Sequence, residues 1–431
     1  MSKMLWGWVG LGVVLAGLGL NQGQPAARLL ERPTLAPSDF EYIGSFAPPK
    51  AAVPNSEGGR WSTAYGFGGL ALRRVGGRLH FFASTHVYSG GQVYEMAFPG
   101  LSKVSGQWPS APVVREWGDV FGGRKVLLTS SDQSPCGGRD GGLANGAWTH
   151  GLFWDQGRGG LYWSYGSPYN GAGCNHPALG FSRLGAGGSS AQGPWSVRAG
   201  PGVHAQMVRG GVLRIPGWFA QAYTGGRSLG LGFGGYYSII AQGSQGPSLF
   251  AAHDPDPRSP LLETLPLLSF PQGRKSTRNP DYVLSRDAAG GTQPSWDKNP
   301  QAGRGFWTAA DTLEGAAAWI DTPQKHGLIF FPRLGHGRIG YEGGAVTWGR
   351  QQQWWYIYSP RDLAAVAQGR RRPWEVEPAH TAPADFALEY PEARVTGAAF
   401  DPVDQVLYLY VYQAYREGAE LYPLVRAYRL K

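Results

Sequence analysis

Two carboxylates, Asp311 and Glu314, stand three residues apart in the segment TAADTLEG. Paired carboxylates carry out glycoside hydrolysis, one as general acid and the other as base or nucleophile. Glu314 directly precedes an apolar strand pattern and is therefore the stronger acid or base candidate. The comparable strand starts TAYGFGG and RVTG supply no second, well-separated carboxylate, so a glycan-active enzyme is an alternative rather than the main prediction.

Histidines form the second group with chemical potential. Four of the nine fall in predicted loops, namely His86, His150, His176 and His336. Together with Glu314 they could ligate a cation, but no HxH or HExxH spacing supports this. A histidine-lined metal site is a second alternative, and no metal ligand or cofactor is assigned.

Aromatic and polar loop residues favour binding. Arg394 in EARVTG and Tyr169 could bind a polar ligand, and loop tryptophans could stack on sugar rings. No GxSxG, P-loop or dinucleotide motif occurs in a usable context, which leaves catalysis undecided. The predicted pocket is lined by His150, Glu314 and Arg394, and its rim carries Asp311, His86, His176, His336 and Tyr169.

The elements that would position these residues belong to a repeat. The 431 residues include 67 Gly and 33 Pro, are 13% aromatic and only 16% charged, and favour many short strands joined by tight turns. A glycine followed by an apolar strand, a polar turn and a second strand recurs every 79 to 85 residues. The repeats begin at Gly69, Gly151, Gly230, Gly315 and Gly397.

Further apolar segments complete each repeat. Third strands are predicted in all five repeats, and fourth strands in the first four, including PWEVEPA at 373–379. An unpaired strand at 39–49 could supply the missing fourth strand of the last repeat, beside 423–430. The predicted fold class is all-β: a five-bladed β-propeller of four-stranded blades, closed by the N-terminal strand, in one domain over residues 30–431. In such a fold the connections from fourth to first strands, and from second to third strands, lie on one face, where the predicted pocket is placed.

Three stretches also carry a resemblance. GAAAWIDTPQKHGLIFFPRLGHG, YSPRDLAAVAQGRRRPWEVEP and GAAFDPVDQVLYL resemble an uncharacterised family of secreted bacterial β-propeller proteins. The resemblance covers mainly residues 311–412. It implies the propeller fold and export, and it implies no activity and no site residue.

The N-terminus and the two cysteines predict export. Residues 1–29 contain the uncharged run LWGWVGLGVVLAGLGL after a lysine, which is typical of a signal peptide or a membrane anchor. An even cysteine count in an exported chain predicts a disulfide between Cys136 and Cys174. The expected location is secreted, periplasmic or cell-surface.

The net charge of +9 suggests an anionic partner. Because the arginines are scattered, a polysaccharide or another envelope-associated ligand is expected rather than nucleic acid, and the protein is expected to be a monomer. The predicted function is therefore an exported binding or scaffold protein with a polar ligand pocket over the propeller axis, for carbohydrate or another cell-envelope ligand.

Overall fold

The described part of the chain folds mainly as β-structure. A computed structural model describes residues 26–86, 91–124, 148–166, 177–198, 208, 210–234, 247–270, 275–276, 304–305, 315–336, 340–342, 345–347, 350–384 and 393–431. The short helices with both ends in these ranges are α1 (Ala26–Leu30), α2 (Gly217–Tyr223) and α3 (Pro360–Ala367), and a 3-10 turn lies at Pro37–Asp39. None of the helices in these ranges is long and apolar enough to cross a membrane.

The strands of the N-terminal half are β1 (Phe40–Phe46), β2 (Ala51–Pro54), β3 (Arg60–Ser62), β4 (Ala71–Val75), β5 (Arg78–Ser84), β6 (Val93–Ala97), β7 (Val113–Gly118), β8 (Trp148–Asp155), β9 (Gly160–Gly166), β10 (Leu179–Gly185), β11 (Gly188–Arg198), β12 (Gly211–Arg214) and β13 (Leu229–Gly232). Those of the C-terminal half are β14 (Leu249–Ala252), β15 (Leu261–Leu268), β16 (Lys275–Ser276), β17 (Arg304–Gly305), β18 (Ala317–Asp321), β19 (His326–Phe330), β20 (Arg333–His336), β21 (Gly340–Glu342), β22 (Ala345–Thr347), β23 (Arg350–Tyr358), β24 (His380–Pro383), β25 (Arg394–Asp401), β26 (Val406–Glu417) and β27 (Glu420–Leu430).

Most strands pair into antiparallel, four-stranded units. Unit 1 is β4–β7, unit 2 is β8–β11, unit 3 is β12–β15, unit 4 is β18, β19, β23 and β24, and unit 5 is β25–β27 with β1. A short parallel pairing of β11 with β15 joins units 2 and 3 into one eight-stranded sheet.

The last unit is completed by the N-terminal strand. β1 pairs antiparallel with β27, with Phe40 opposite Leu430 and Phe46 opposite Val425. The predicted pairing of the 39–49 segment beside 423–430 is confirmed. This pairing covers an edge of β27 that would otherwise expose its hydrogen-bonding groups.

Hydrophobic clusters fill the spaces between units. There is one cluster between units 1 and 2, one between 2 and 3, one between 3 and 4, one between 4 and 5, and one between 5 and 1. The alternation of side chains along a strand explains this arrangement. Phe81 of β5 packs towards unit 5, whereas its neighbour Phe82 packs towards unit 2. Both faces of the middle strands are therefore buried.

The first strand of each unit, called the inner strand, touches the inner strands of at least two other units, and β8 also touches β25. The contacts run from β4 to β8, β12, β18, β25 and back to β4. They are closest at glycines, and a Cβ added at Gly151 would lie 2.4 Å from the Cα of Gly211. A Cβ added at Gly315 would lie 2.2 Å from the carbonyl oxygen of Gly210. We call these glycines the glycine collar: Gly69, Gly151, Gly211, Gly315 and Gly397.

Two predicted strand positions are wrong. Gly230 lies in β13, the second strand of unit 3, and the inner strand of that unit is β12, which begins at Gly211. The connection between them contains α2 instead of a tight turn, so the expected hairpin pattern is missing. In unit 4 the residues 373–379 form no strand, and the outer strand is β24. The Ser359 side chain caps α3 there, and Pro360 occupies the first helical turn.

Candidate functional site

A cavity of about 1050 Å³ opens where the inner strands end. The inner strands of all five units line it, through β4, β8, β12, β18 and β25 and the residues that follow them. These strand ends lead into the connections to the second strands, so we call this side of the molecule the hairpin face. The glycine collar lies on the N-terminal side of these strand ends, before or within the inner strands.

Aromatic side chains form much of the cavity wall. Phe153, Trp154, Trp218 and Phe400 all line it and are only half-buried. Trp154 stacks on Phe82 with ring centroids 5.4 Å apart and an interplanar angle of 11°. The guanidinium carbon of Arg73 lies 4.8 Å from the centre of the Trp154 ring. Trp154 is thus fixed at one face and partly open to the cavity.

Three of the inner strands end in aspartate, at Asp155, Asp321 and Asp401. Two of them organise the turn that follows. The Arg158 amide donates to Asp155 Oδ1 at 3.1 Å, and the Val403 amide donates to Asp401 Oδ1 at 3.3 Å. Such bonds from a side-chain oxygen to the backbone two or three residues on are typical of aspartate in tight turns.

The same aspartates bind arginines from neighbouring elements. Asp155 pairs with Arg214 of β12, and Asp401 pairs with Arg74 of β4 at 2.5 Å. Asp321 pairs at 2.5 Å with Arg32, which follows α1. Each pair therefore joins the end of one inner strand to an element outside its own unit.

Two of these arginines make a second ion pair on the rim. Arg74 Nη2 also lies 2.5 Å from Asp404, and Arg214 Nη1 lies 2.8 Å from Asp254. The hydrogen bond to Asp401 raises the pKa of Arg74. Both guanidinium groups are therefore held charged and in place.

A buried carboxylate holds the fourth arginine of the cavity. Glu95 is 1% exposed and accepts two hydrogen bonds from Arg73, through Nε and Nη2, both at 2.8 Å. It also contacts His80 Nδ1 at 2.8 Å and accepts from Trp117 Nε1 at 3.1 Å. These bonds orient Arg73, which in turn supports Trp154.

The N-terminal segment closes one side of the cavity. Leu29 and Arg32 line the wall next to Trp218, whose Nε1 donates to Asp321 at 2.9 Å. Behind Trp218 the His326 ring is stacked at 6.1 Å, and His326 has no solvent exposure. Burial lowers the pKa of His326 to about 4, so this histidine is neutral at pH 7.

Of the residues predicted for the opposite, loop-bearing face, His150 and Arg394 come together. The His150 ring lies 5.0 Å from Phe67, and the Arg394 guanidinium carbon lies 5.2 Å from the same ring. Both residues are buried, at 1% and 6% exposure. Arg394 also lies 4.7 Å from the Tyr412 ring.

His86 lies elsewhere on that face. It is half-buried, its ring is 5.3 Å from that of Tyr65, and burial lowers its pKa. His336 belongs to β20, but its side chain lies outside the described residues. The remaining predicted residues also lie outside them, so their roles and the disulfide stay predictions: Asp311, Glu314, Tyr169, His176, Cys136 and Cys174. Within the described ranges, no cluster of three or more His, Cys, Asp or Glu could hold a metal ion.

Sequence reasoning missed the cavity on the hairpin face. The residues that line it belong to inner strands, and the sequences of these strands are typical of core segments. The signal was nevertheless present, because WDQGRGG, IDTPQKHG and FDPVDQ repeat an aspartate at the end of the inner strand. That repeat marks both the turn and the rim of the cavity.

Comparisons with known proteins leave the family open. No protein-family model and no curated protein matches the chain. Similar solved structures include a candidate glycoside hydrolase from Parabacteroides distasonis, with 10% identity, a TM-score of 0.37, and coverage of 92% of this chain and 95% of that one. A GH43 β-1,3-galactosidase with galactodeoxynojirimycin shows 10% identity, a TM-score of 0.34, and coverage of 89% and 94%. The parainfluenza virus 5 hemagglutinin-neuraminidase ectodomain shows 9% identity, a TM-score of 0.31, and coverage of 91% and 87%. TM-scores this low establish neither a shared fold nor a shared activity.

Proposed function

We propose that the chain is a five-bladed β-propeller that binds a carbohydrate in the cavity on its hairpin face. The blade count is supported by the cyclic contacts of the inner strands and by a hydrophobic cluster between each neighbouring pair of units. Export, as the N-terminal sequence predicts, would bring the cavity into contact with glycans at or beyond the cell surface.

The observation that carries the binding proposal is the composition of the cavity. Half-buried aromatic rings line it together with arginines that are held by aspartates. Sugars present an apolar ring face together with many hydroxyl groups. An aromatic wall can stack on the ring face, and fixed donors and acceptors can bind the hydroxyls. The cavity volume is also close to the upper end of the range for small-molecule sites, which suits an oligosaccharide.

Binding is favoured over hydrolysis at this cavity. A glycosidase needs one carboxyl group that donates a proton and a second that acts as base or nucleophile. Asp155 and Asp401 are buried, and each accepts hydrogen bonds from an arginine and from the backbone of its own turn. Their oxygens are therefore engaged in holding the structure. The hydrolase predicted around Asp311 and Glu314 is a separate proposal.

A glycan-binding measurement tests the proposal. The full-length chain is screened on a panel of oligosaccharides, and the best ligand is titrated by calorimetry. The variant Trp154→Ala loses a stacking surface and is expected to bind about tenfold more weakly. Trp108→Ala is the matched control, because Trp108 packs on Tyr415 at 5.2 Å and does not line the cavity.

Melting temperatures of both variants separate lost binding from lost folding. If Trp154→Ala keeps the wild-type affinity while it remains folded, the cavity is not the site. If reducing ends accumulate during the titration and disappear in Glu314→Gln, the hydrolase alternative replaces the binding function.

A further inference from the structure

The arginines of the cavity are already bound to carboxylates of the protein itself. Of the residues that the structure describes, four arginines line the cavity, namely Arg32, Arg73, Arg74 and Arg214. Their ion-pair partners are six carboxylates: Asp155, Asp254, Asp321, Asp401, Asp404 and Glu95. The cavity therefore has no surplus of positive charge from these arginines, although the whole chain carries +9.

The geometry of two of these pairs strengthens the point. Arg73 directs its Nε and Nη2 at both oxygens of Glu95, and Arg74 directs the same two atoms at both oxygens of Asp401. This paired arrangement is the one that arginine uses to recognise a carboxylate or phosphate of a ligand. An acidic sugar would have to displace a protein carboxylate, and the buried carboxylate would then lose its partner.

The other two arginines are also engaged. Arg32 donates through Nε to the Leu29 carbonyl oxygen at 3.1 Å, through Nη1 to the Thr322 carbonyl and through Nη2 to Asp321. Arg214 reaches Ser228 Oγ at 3.2 Å in addition to its two aspartates. Neither presents a paired donor edge for an anion.

We propose that the cavity selects glycans without acidic groups and discriminates against those that carry carboxylate, sulfate or phosphate. The proposal rests on the carbohydrate-binding function proposed above and names its ligand class. Three partly exposed carboxylates lie at or beside the cavity: Asp321 lines it with a side-chain exposure of 25%, and Asp254 and Asp404, at 46% and 59%, are bound to its arginines Arg214 and Arg74. They accept hydrogen bonds from sugar hydroxyls, and they repel an acidic group.

The overall charge of the chain predicts the opposite preference. A protein with a net charge of +9 should attract anionic polysaccharides over its whole surface. Attraction by the surface charge and selection by the cavity have different origins. They can therefore be distinguished by adding salt and by changing residues inside or outside the cavity. Surface attraction weakens with added salt, whereas selection by hydrogen bonds within the cavity persists.

The experiment compares matched oligomers on the full-length chain. Oligogalactose and oligogalacturonate of equal length and linkage are titrated at about 0.15 M salt, where exposed charges more than about 8 Å apart are largely screened. Oligogalactose is expected to bind at least tenfold more tightly. Equal or tighter binding of the acid overturns the selectivity and leaves carbohydrate binding standing. Binding of neither oligomer, in a protein that binds none of the panel, overturns carbohydrate binding itself.

A double variant tests the cause of the selectivity. Asp254→Asn with Asp404→Asn removes two exposed negative charges and keeps the shape of both side chains. The variant is expected to bind oligogalacturonate several-fold more tightly than the wild type does. The control pair is Glu263→Gln with Glu417→Gln, since both carboxylates are exposed and are paired with Arg198 and Lys50 rather than with an arginine of the cavity. An equal gain in the control shows that net charge, and not the cavity rim, decides the preference.

Discussion

The two ends of the inner strands differ in the residues they bring together. Towards their N-terminal side the strands meet at the glycine collar, where the backbones of neighbouring units touch. At their C-terminal ends the same strands carry Trp154, Phe400 and the aspartates, and they surround a cavity of about 1050 Å³. Glycines permit the close approach at one end, whereas aromatic and charged side chains surround the space at the other end. The cavity therefore lies at the end of the inner strands away from the glycine contacts.

The largest expected effect comes from adding one methyl group to the collar. Gly315 has a φ of +89°, and an added Cβ would lie 2.2 Å from the Gly210 carbonyl oxygen. We expect Gly315→Ala to lower the free energy of unfolding by about 3 kcal/mol, because backbone strain and overpacking act together. Chemical denaturation measures the change.

Gly185→Ala is the matched control, since a Cβ there meets no atom within 4 Å and its φ is not in the left-handed region. This control should change stability by less than about 0.5 kcal/mol. If the two variants are equally stable, the close approach of the inner strands at the collar is wrong.

A second prediction concerns the pH dependence of stability, to which His326 behind the cavity residue Trp218 contributes. Burial lowers the pKa of His326 from 6.5 to about 4, so the unfolded chain binds a proton over a range where the folded chain does not. Stability therefore rises with pH between about 4 and 6.5, and it is lost as the pH falls through that window. The contribution is at most about 3 kcal/mol.

His326→Phe removes the titrating group and keeps a ring against Trp218. We expect the difference in unfolding free energy between pH 7 and pH 4.5 to be smaller in the variant than in the wild type. An identical pH dependence in both proteins would show that His326 is not buried in the neutral form.

The smallest expected effect is at the Trp218 hydrogen bond. Trp218→Phe keeps an aromatic ring and removes the donor to Asp321, which should cost about 1 kcal/mol in stability. Ligand affinity should fall by less than it does in Trp154→Ala, since part of the stacking surface remains. Trp108→Phe supplies the control outside the cavity. Equal losses in the two phenylalanine variants would contradict a specific role for the Asp321 bond.

Part of this architecture can be predicted from the sequence, and particular residues show why. The closing strand β1 was predicted because the segment 39–49 had no partner in its own repeat, whereas the last repeat lacked a strand. Unit 3 was misplaced because β12 has only four residues and α2 interrupts its hairpin. Periodicity detects regular hairpins and fails where a helix is inserted between two strands.

The site was harder to predict than the fold. His150 and Arg394 were expected to converge from their positions before two inner strands, and both contact Phe67. The hairpin-face cavity was not expected, because Phe153, Phe400 and their neighbours read as core residues in an alternating pattern. Whether an apolar residue of an inner strand faces a neighbouring unit or the axis depends on how far the strands diverge, which no local pattern records.

The central claim is that ligand binds at the open ends of the inner strands. Hydrogen–deuterium exchange of the full-length chain, with and without the best-binding oligosaccharide, tests it most directly. The account predicts slower exchange at residues 153–156 and 398–403, which line the cavity, and little change at residues 66–68 and 149–150 near the collar. Protection confined to residues 66–68 and 149–150 would contradict the account and place the site on the loop-bearing face.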